Sequence, residues 1–199
     1  MDKKQKYINK ALVIFKQEGL RLSIDELAAK MGISKKTLYN HFDSKDTLLR
    51  QCIHHVFTDL NSNMELLIDE NKNAIECMQQ SFHALSIFFQ DHSPVFISDL
   101  NKLYPDMISE KHTSKLGPFS ETIKLNLEKG IKEGLYASEL DIRLISRYFV
   151  HSIFGFFFQS IISDNEFSAN NYFETVVIYN LKALSTDKGR KLINLKIKS

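Results

Sequence analysis

The stretch that decides the fold is Ser23–Phe42, SIDELAAKMGISKKTLYNHF. Ser23 and Glu26 have the spacing of a capping box, which marks the start of a helix. Gly32 favours a sharp turn, and Ser34 can cap a second helix directly after it. The pattern predicts two short helices joined by a tight turn, which is a helix-turn-helix.

The outward face of the second helix carries the side chains that indicate a function. If its apolar residues face the core, helical periodicity leaves Lys36, Thr37, Tyr39 and Asn40 outside. No acidic residue occurs over 34–42, whereas a face that is only solvated usually carries Glu as well as Lys. These side chains suit base edges and phosphates, and the second helix of such a motif enters the major groove of DNA. The alternative is an αα-hairpin used only for packing, and the polar face favours DNA binding.

A longer segment, INKALVIFKQEGLRLSIDELAAKMGISKKTLYNHFDSKDTLL, surrounds this motif. It contains IxxLAxxxGxS followed by TLYxHFxSK. This combination resembles the N-terminal domain of the tetracycline-repressor (TetR) family of bacterial transcription regulators. The resemblance covers residues 4–50, and outside that segment only the helical character and the length of the chain support it.

The resemblance implies DNA-binding roles for seven residues. Lys35, Lys36, Tyr39 and Asn40 match positions that contact DNA, and Thr37, Tyr39, His41 and Lys45 match contacts to backbone phosphates. Lys45 would also lie at the start of a helix, where amide dipoles attract phosphate. At position 36 the family more often has Gly, Ala or Pro. The operator sequence that a relative prefers therefore does not predict the sequence that this chain prefers.

Composition favours an all-α protein. The chain has 199 residues, of which 43% are hydrophobic and 25% charged, and this excludes wholesale disorder. It contains only 7 Gly and 3 Pro, fewer than the turns of a sheet protein need. We predict a three-helix DNA-binding domain of the helix-turn-helix type over residues 1–50. A larger helical domain for ligand binding and dimerisation would follow over residues 51–199.

Charge is divided unevenly along the chain. Residues 1–50 carry a formal charge of +5, residues 51–181 carry −8 and residues 182–199 carry +5. A basic head on an acidic body favours contact between the head and a polyanion such as DNA. The alternative is that lysines only keep a terminus soluble, and we favour this interpretation for the C-terminal tail.

Other classes of protein are disfavoured by the motifs. No apolar stretch follows the N-terminal lysines, and the most apolar run, 148–162, is too short to span a bilayer. Cys52 and Cys77 are too few for a disulfide scaffold and indicate a reducing compartment. Cys52 and His55 share a helix face but lack the further ligands of a metal site. Phosphate-binding loops and hydrolase motifs are absent. We therefore expect a cytoplasmic protein that does not bind membranes, is not an enzyme and needs no cofactor or metal.

Periodicity and capping residues predict the other helices. A fourth helix begins at Asp43 or Ser44 and runs to Leu60. Further helices are predicted over 4–18, 64–68, 74–90, 121–133, 138–163 and 170–184. Ser138 is expected to cap the helix at 138. The segment 91–120 contains all three prolines, so we expect breaks or kinks there.

The last two long helices indicate a homodimer. Each is apolar on more than one side and must be buried on more than one side. Ser152 and Gly155 would allow close approach of a second helix. A single recognition helix also covers too few base pairs for useful specificity, so a dimer on a palindromic operator is expected. The resemblance implies a four-helix dimer interface at this place, and ordinary packing within one chain is the alternative.

The aromatic-rich middle of the chain is the expected binding region for a small-molecule ligand, in addition to DNA. The resemblance implies an inducer cavity there, and we predict a small apolar or aromatic effector that releases a repressor from its operator. The residues predicted to bind it are Phe88, Phe96, Tyr104, Phe119 and His151. The alternative is a DNA-binding regulator controlled by a protein partner, or by no small molecule. A fully packed body would favour that alternative.

Overall fold

The computed structural model describes residues 2–105, 117–158 and 169–194. Regular structure within these ranges is helical, with one isolated antiparallel bridge between Tyr136 and Ser185. The helices are α1 (Lys3–Glu18), α2 (Ile24–Met31), α3 (Lys35–Tyr39), α4 (Lys45–Glu65), α5 (Ala74–Gln90), α6 (Pro94–Leu103), α7 (Gly117–Lys132), α8 (Ile142–Phe158), α9 (Ala169–Leu184) and α10 (Asp187–Arg190). The predicted all-α fold is confirmed.

The chain divides into two compact units. Unit 1 consists of Met1–Asp59 and Asp91–Pro105, and unit 2 consists of Leu60–Gln90 and Asp106–Ser199. Unit 1 therefore contains α1, α2, α3, α6 and most of α4, and the last turns of α4 belong to unit 2. The functional boundary at residue 50 falls within α4 and stays a prediction.

In unit 1, α1 has the amphipathic pattern that the sequence predicted. It buries Ile8, Ala11, Leu12 and Phe15. It ends at Gly19, whose φ of 88° lies in the left-handed region and whose amide donates to the Phe15 carbonyl at 2.9 Å. Glycine adopts this conformation without the strain that a side chain would cause.

The segment 91–120, in which the prolines predict breaks or kinks, contains a regular helix, α6. Ser93 caps α6, because its Oγ accepts from the Phe96 amide at 3.1 Å. Pro94 occupies the first helical turn, where its missing N–H costs nothing. The Ser93 amide donates to the Lys16 carbonyl at 2.9 Å, and α6 packs on α1. The breaks lie at the two ends of this helix, and residues 106–116 lie outside the described ranges.

Two predicted boundaries in the rest of the chain are corrected. The segment 64–68 is not a separate helix, because α4 continues to Glu65 and a 3-10 turn follows over Leu66–Ile68. Ser138 does not cap the next long helix. Asp141 does so, accepting from the Leu144 amide at 2.9 Å, and α8 starts at Ile142. The predicted end of this helix, 159–163, lies outside the described residues.

Unit 2 is held together by a buried polar group as well as by apolar packing. The Asn126 side chain is fully buried and donates to the carbonyls of Leu67, at 2.8 Å, and Ala74, at 3.0 Å. The Tyr136 hydroxyl donates to Asn126 Oδ1 at 3.2 Å. These bonds fix the turn before α5 to α7. Among the residues that the structure describes, no helix is long and apolar enough to cross a membrane.

Candidate nucleic-acid interface

The helix-turn-helix forms as the sequence predicted. The Ser23 amide donates to Glu26 Oε2 at 2.7 Å, and the Glu26 amide donates to Ser23 Oγ at 3.2 Å, which completes the capping box. Gly32 follows α2 in the left-handed conformation, with φ 67° and ψ 35°. Ser34 then caps α3, accepting from the Thr37 amide at 3.0 Å. Local sequence therefore determines where each helix begins and ends.

One side of α3 is packed and the other is open. Leu38 is buried, with 1% of its surface exposed. Lys35, Lys36 and Asn40 are exposed, and so is Tyr39 at 47%. Thr37 is half-buried, and its hydroxyl lies 2.8 Å from that of Ser34. The structure thus brings the predicted DNA-binding side chains of α3 to one accessible surface.

Lys35 has an acidic partner within the motif. Its Nζ lies 2.8 Å from Asp25 Oδ2 in the first turn of α2. The hydrogen bond to this carboxylate raises the pKa of Lys35 above its ordinary value. The ammonium group therefore stays protonated and is held at the side of α3 that faces α2.

His41 and Lys45 are more constrained than the α3 residues. His41 is half-buried, and its ring lies 4.9 Å from that of Tyr7, centroid to centroid. Lys45 Nζ donates to the Leu20 carbonyl at 2.8 Å. Burial lowers the pKa of Lys45, and the carboxylates of Asp99 and Glu26 oppose this effect. Lys45 thus binds the connection between α1 and α2, and its contact with phosphate stays a prediction.

Sequence reasoning missed three residues that support the interface. Asp25 and Tyr7 contact predicted DNA-binding residues, as described above. Asp99, which is 5% exposed, accepts from the Leu20 amide and from Arg21 Nε, each at 2.9 Å. The only sequence signal for Asp25 is its position in the first turn of α2. Asp99 gave no signal, because its partners lie 78 and 79 residues away.

The predicted effector residues lie in both units. Phe96 and Tyr104 belong to unit 1, where Phe96 is buried and Tyr104 lies 5.8 Å from the Arg50 guanidinium. Phe88, Phe119 and His151 belong to unit 2, where they are half-buried, buried and exposed, respectively. Their role in binding an effector stays a prediction.

The pair Cys52 and His55 does not have the properties of a metal site. The Cys52 thiol is buried and lies 3.7 Å from the Ile8 carbonyl, to which it donates. Burial raises its pKa to about 12, so the thiolate that a metal requires is disfavoured. No cluster of three or more metal-binding side chains occurs in the described part of the chain.

This geometry defines a class of protein: a helix-turn-helix protein whose second helix has an accessible polar face without acidic residues. Residues 8–52 match the family model described as "Bacterial regulatory proteins, tetR family". The matched segment is the DNA-binding domain of this family, and it supports a DNA-binding transcriptional regulator of the TetR family. Regulators of the TetR family are generally not enzymes.

Comparisons along more of the chain agree with this assignment. The HTH-type transcriptional repressor KstR2 of Rhodococcus jostii is 26% identical over 153 residues, 69% of this chain and 70% of that protein. The nucleoid occlusion factor SlmA of Shewanella pealeana is 29% identical over 121 residues, 58% of this chain and 61% of that protein. A TetR-family regulator of Marinobacter aquaeolei superposes with a TM-score of 0.73 at 15% identity, covering 96% of this chain and 95% of that one. The last similarity concerns the fold alone.

Proposed function

We propose that this protein is a repressor that binds a palindromic operator as a homodimer and is released from it by a small apolar or aromatic effector. The observation that carries the DNA-binding part is the open face of α3. There, Lys36, Tyr39 and Asn40 are exposed while Leu38 anchors the helix in the core. Such a helix can enter a major groove while α2 lies across the phosphate backbone.

The dimer is supported by apolar side chains that unit 2 leaves exposed. On α8, Leu144 is 63% exposed and Tyr148 is 49% exposed, one turn apart. On α9, Tyr179 is 62% exposed, whereas Val177 and Leu181 are buried. Exposed apolar side chains at helical spacing favour a contact with another protein surface. A second copy of the chain would also supply the second recognition helix that a palindromic operator requires.

The effector part of the proposal rests on the aromatic side chains of unit 2 and on α4. Phe119 is buried, and the rings of Phe82 and Phe149 lie 5.8 Å apart. Helix α4 begins at Lys45, beside the candidate interface, and ends in unit 2. An effector that binds more tightly to a form with a different α4 position would separate the two recognition helices. To shift the ratio of the DNA-releasing form to the DNA-binding form from 1:99 to 99:1, the effector must bind the releasing form more tightly by about 5.5 kcal/mol.

The DNA-binding proposal is tested by selecting duplexes from a random pool with the full-length protein. We expect enrichment of a palindrome whose half-sites lie about one helical turn apart, roughly 34–36 Å. Binding of the selected duplex is then measured by fluorescence anisotropy against a scrambled duplex of the same composition. The absence of any enriched sequence would contradict the proposal.

The effector proposal is tested separately. A library of small aromatic compounds is screened by thermal shift, and each hit is titrated by calorimetry with and without the selected duplex. Because coupling is reciprocal, DNA must weaken effector binding by the same factor as the effector weakens DNA binding. Equal affinities in both titrations would favour the alternative, control by a protein partner.

A further inference from the structure

The ion pair between Asp25 and Lys35 lies at the surface that would face DNA. It joins the first turn of α2 to the first residue of α3, with 2.8 Å between Nζ and Oδ2. Both side chains remain accessible, at 66% exposure for Asp25 and 48% for Lys35. An exposed pair of this kind contributes little to folding stability. The pair can therefore be altered by substitution while the motif stays folded.

We propose that Asp25 is a specificity-determining residue: it lowers the contribution of Lys35 to non-specific DNA binding and leaves Lys35 able to read a base edge. This inference rests on the proposed function, because it assumes that α3 enters the major groove. It concerns a residue that lies outside the set predicted from the sequence.

The first step of the argument concerns charge. Non-specific affinity for DNA comes from cations that neutralise phosphates and release counterions. The Asp25 carboxylate already neutralises Lys35, so placing this ammonium on a phosphate releases few additional counterions.

The second step concerns hydrogen bonds. A lysine ammonium has three N–H donors, and the bond to Asp25 uses one of them. Two donors remain for acceptors such as O6 and N7 of guanine. Because the carboxylate also restrains the ammonium group, these donors have a preferred direction. Lys35 thus keeps its capacity for base readout while its contribution to phosphate binding is reduced.

The neighbouring carboxylate cannot replace Asp25 in this role. Glu26 is occupied by the capping box, where its Oε2 accepts from the Ser23 amide and hydroxyl, both at 2.7 Å. The substitution Asp25→Asn therefore removes the charge next to Lys35, keeps the shape of the side chain and leaves the helix cap in place.

The test compares full-length wild type, Asp25→Asn, Lys35→Met and the double variant on a random-sequence duplex and on the selected operator. Affinity is measured by fluorescence anisotropy over a range of salt concentrations. We expect Asp25→Asn to bind the random duplex more tightly and to steepen the slope of log K against log salt by about 0.9. The gain over wild type should thus be about three- to fourfold larger at about 50 mM than at about 200 mM salt. The gain on the operator should be smaller, so the specificity ratio falls.

Two comparisons make the result specific to this pair. In the Lys35→Met background, Asp25→Asn should leave the salt slope unchanged, because the cation that it would release is absent. Glu121→Gln is the matched control, since it also breaks an exposed ion pair of 2.8 Å, with Lys124 in unit 2, and adds the same net charge. It should leave both affinities unchanged. Thermal melts establish that every variant is folded.

The inference is overturned if Asp25→Asn leaves the slope on the random duplex unchanged, if the steepening persists without Lys35, or if operator binding alone is weakened. The last result would mean that Asp25 itself contacts a base. Failure of the proposed function has a different result, because wild type would then bind the selected and scrambled duplexes equally.

Discussion

Asn40 and Lys45 differ in how the structure holds them, and this difference predicts different roles in DNA binding. Asn40 is exposed at the C-terminal end of α3, where an amide can pair with adenine. We expect Asn40→Ala to cost about 1–3 kcal/mol on the selected operator and to relax its sequence at one position. Anisotropy titrations against operators substituted one base pair at a time measure this effect. A uniform loss on all of these duplexes would contradict base readout by Asn40.

Lys45 is predicted to act on every DNA sequence alike. Its ammonium donates to the Leu20 carbonyl and has further donors for a phosphate. We expect Lys45→Met to weaken operator and random duplexes by the same factor and to reduce the salt slope by about 0.9. Lys124→Met, which changes a lysine of unit 2, is the control and should leave the slope as it is. An unchanged slope for Lys45→Met would mean that Lys45 serves only to support the connection between α1 and α2.

At the scale of whole elements, two glycines differ in both backbone strain and packing. Gly19 has φ 88° and ψ −178°, a region that is almost restricted to glycine, and a Cβ there would lie 2.6 Å from Asp99 Oδ2 and 2.7 Å from Val95 Cγ1. Gly32 has φ 67°, but a Cβ would meet no atom within 4 Å. We expect Gly32→Ala to cost about 1 kcal/mol of unfolding free energy and Gly19→Ala about 3 kcal/mol. Urea unfolding measures both costs, and equal costs would show that neither the rarer backbone conformation of Gly19 nor its contact with α6 adds to the loss of stability.

The buried polar group of unit 2 gives a second prediction at this scale. Asn126→Ala would leave two buried groups, the carbonyls of Leu67 and Ala74, without its N–H donors, whereas Tyr136→Phe would leave only Asn126 Oδ1 without its donor. Each buried group left unsatisfied costs about 1–3 kcal/mol. We therefore expect Asn126→Ala to destabilise the protein at least twice as much as Tyr136→Phe in urea unfolding. The reverse order would show that the hydroxyl is the main support.

These elements also show what the sequence could predict. The capping box at Ser23, the caps at Ser34 and Ser44 and the stop at Gly19 act within a few residues, so their sequence pattern was sufficient to predict them. The prolines of 91–120 predict breaks and so do not predict α6, because Pro94 lies in the first turn of that helix, where proline is well tolerated.

Contacts between distant segments were beyond the reach of the sequence. Asp99 and Leu20 meet only when α6 packs on α1, and Asp25 meets Lys35 only when α2 and α3 take their final angle. Nothing in the local pattern distinguishes Asp25 from an acidic residue that serves only the helix dipole. The exposed face of α3 could be predicted from periodicity, whereas the partner that modifies its charge could not.

At the scale of the whole molecule, the central expectation is dimerisation through unit 2. In a symmetric dimer each surface position occurs twice, so one glutamate substitution at the interface would bury two charges there. Burial of an unpaired charge is strongly unfavourable. We therefore expect Leu144→Glu to convert the dimer to a monomer in size-exclusion chromatography with light scattering. Because the Leu144 side chain is exposed in the protomer, the substitution removes no core packing. A change to a monomer would therefore not result from a damaged core.

The matched control and the DNA-binding phenotype complete this prediction. Leu125 on α7 is a leucine of the same unit with 43% exposure, outside the proposed dimer surface, so Leu125→Glu should stay dimeric. The Leu144→Glu monomer has one recognition helix, so it should lose most of its preference for the palindrome and keep its weak, salt-dependent affinity for random DNA. If Leu144→Glu remains a dimer, the interface lies on another face. If it becomes a monomer that still prefers the palindrome as wild type does, two recognition helices are not the source of specificity.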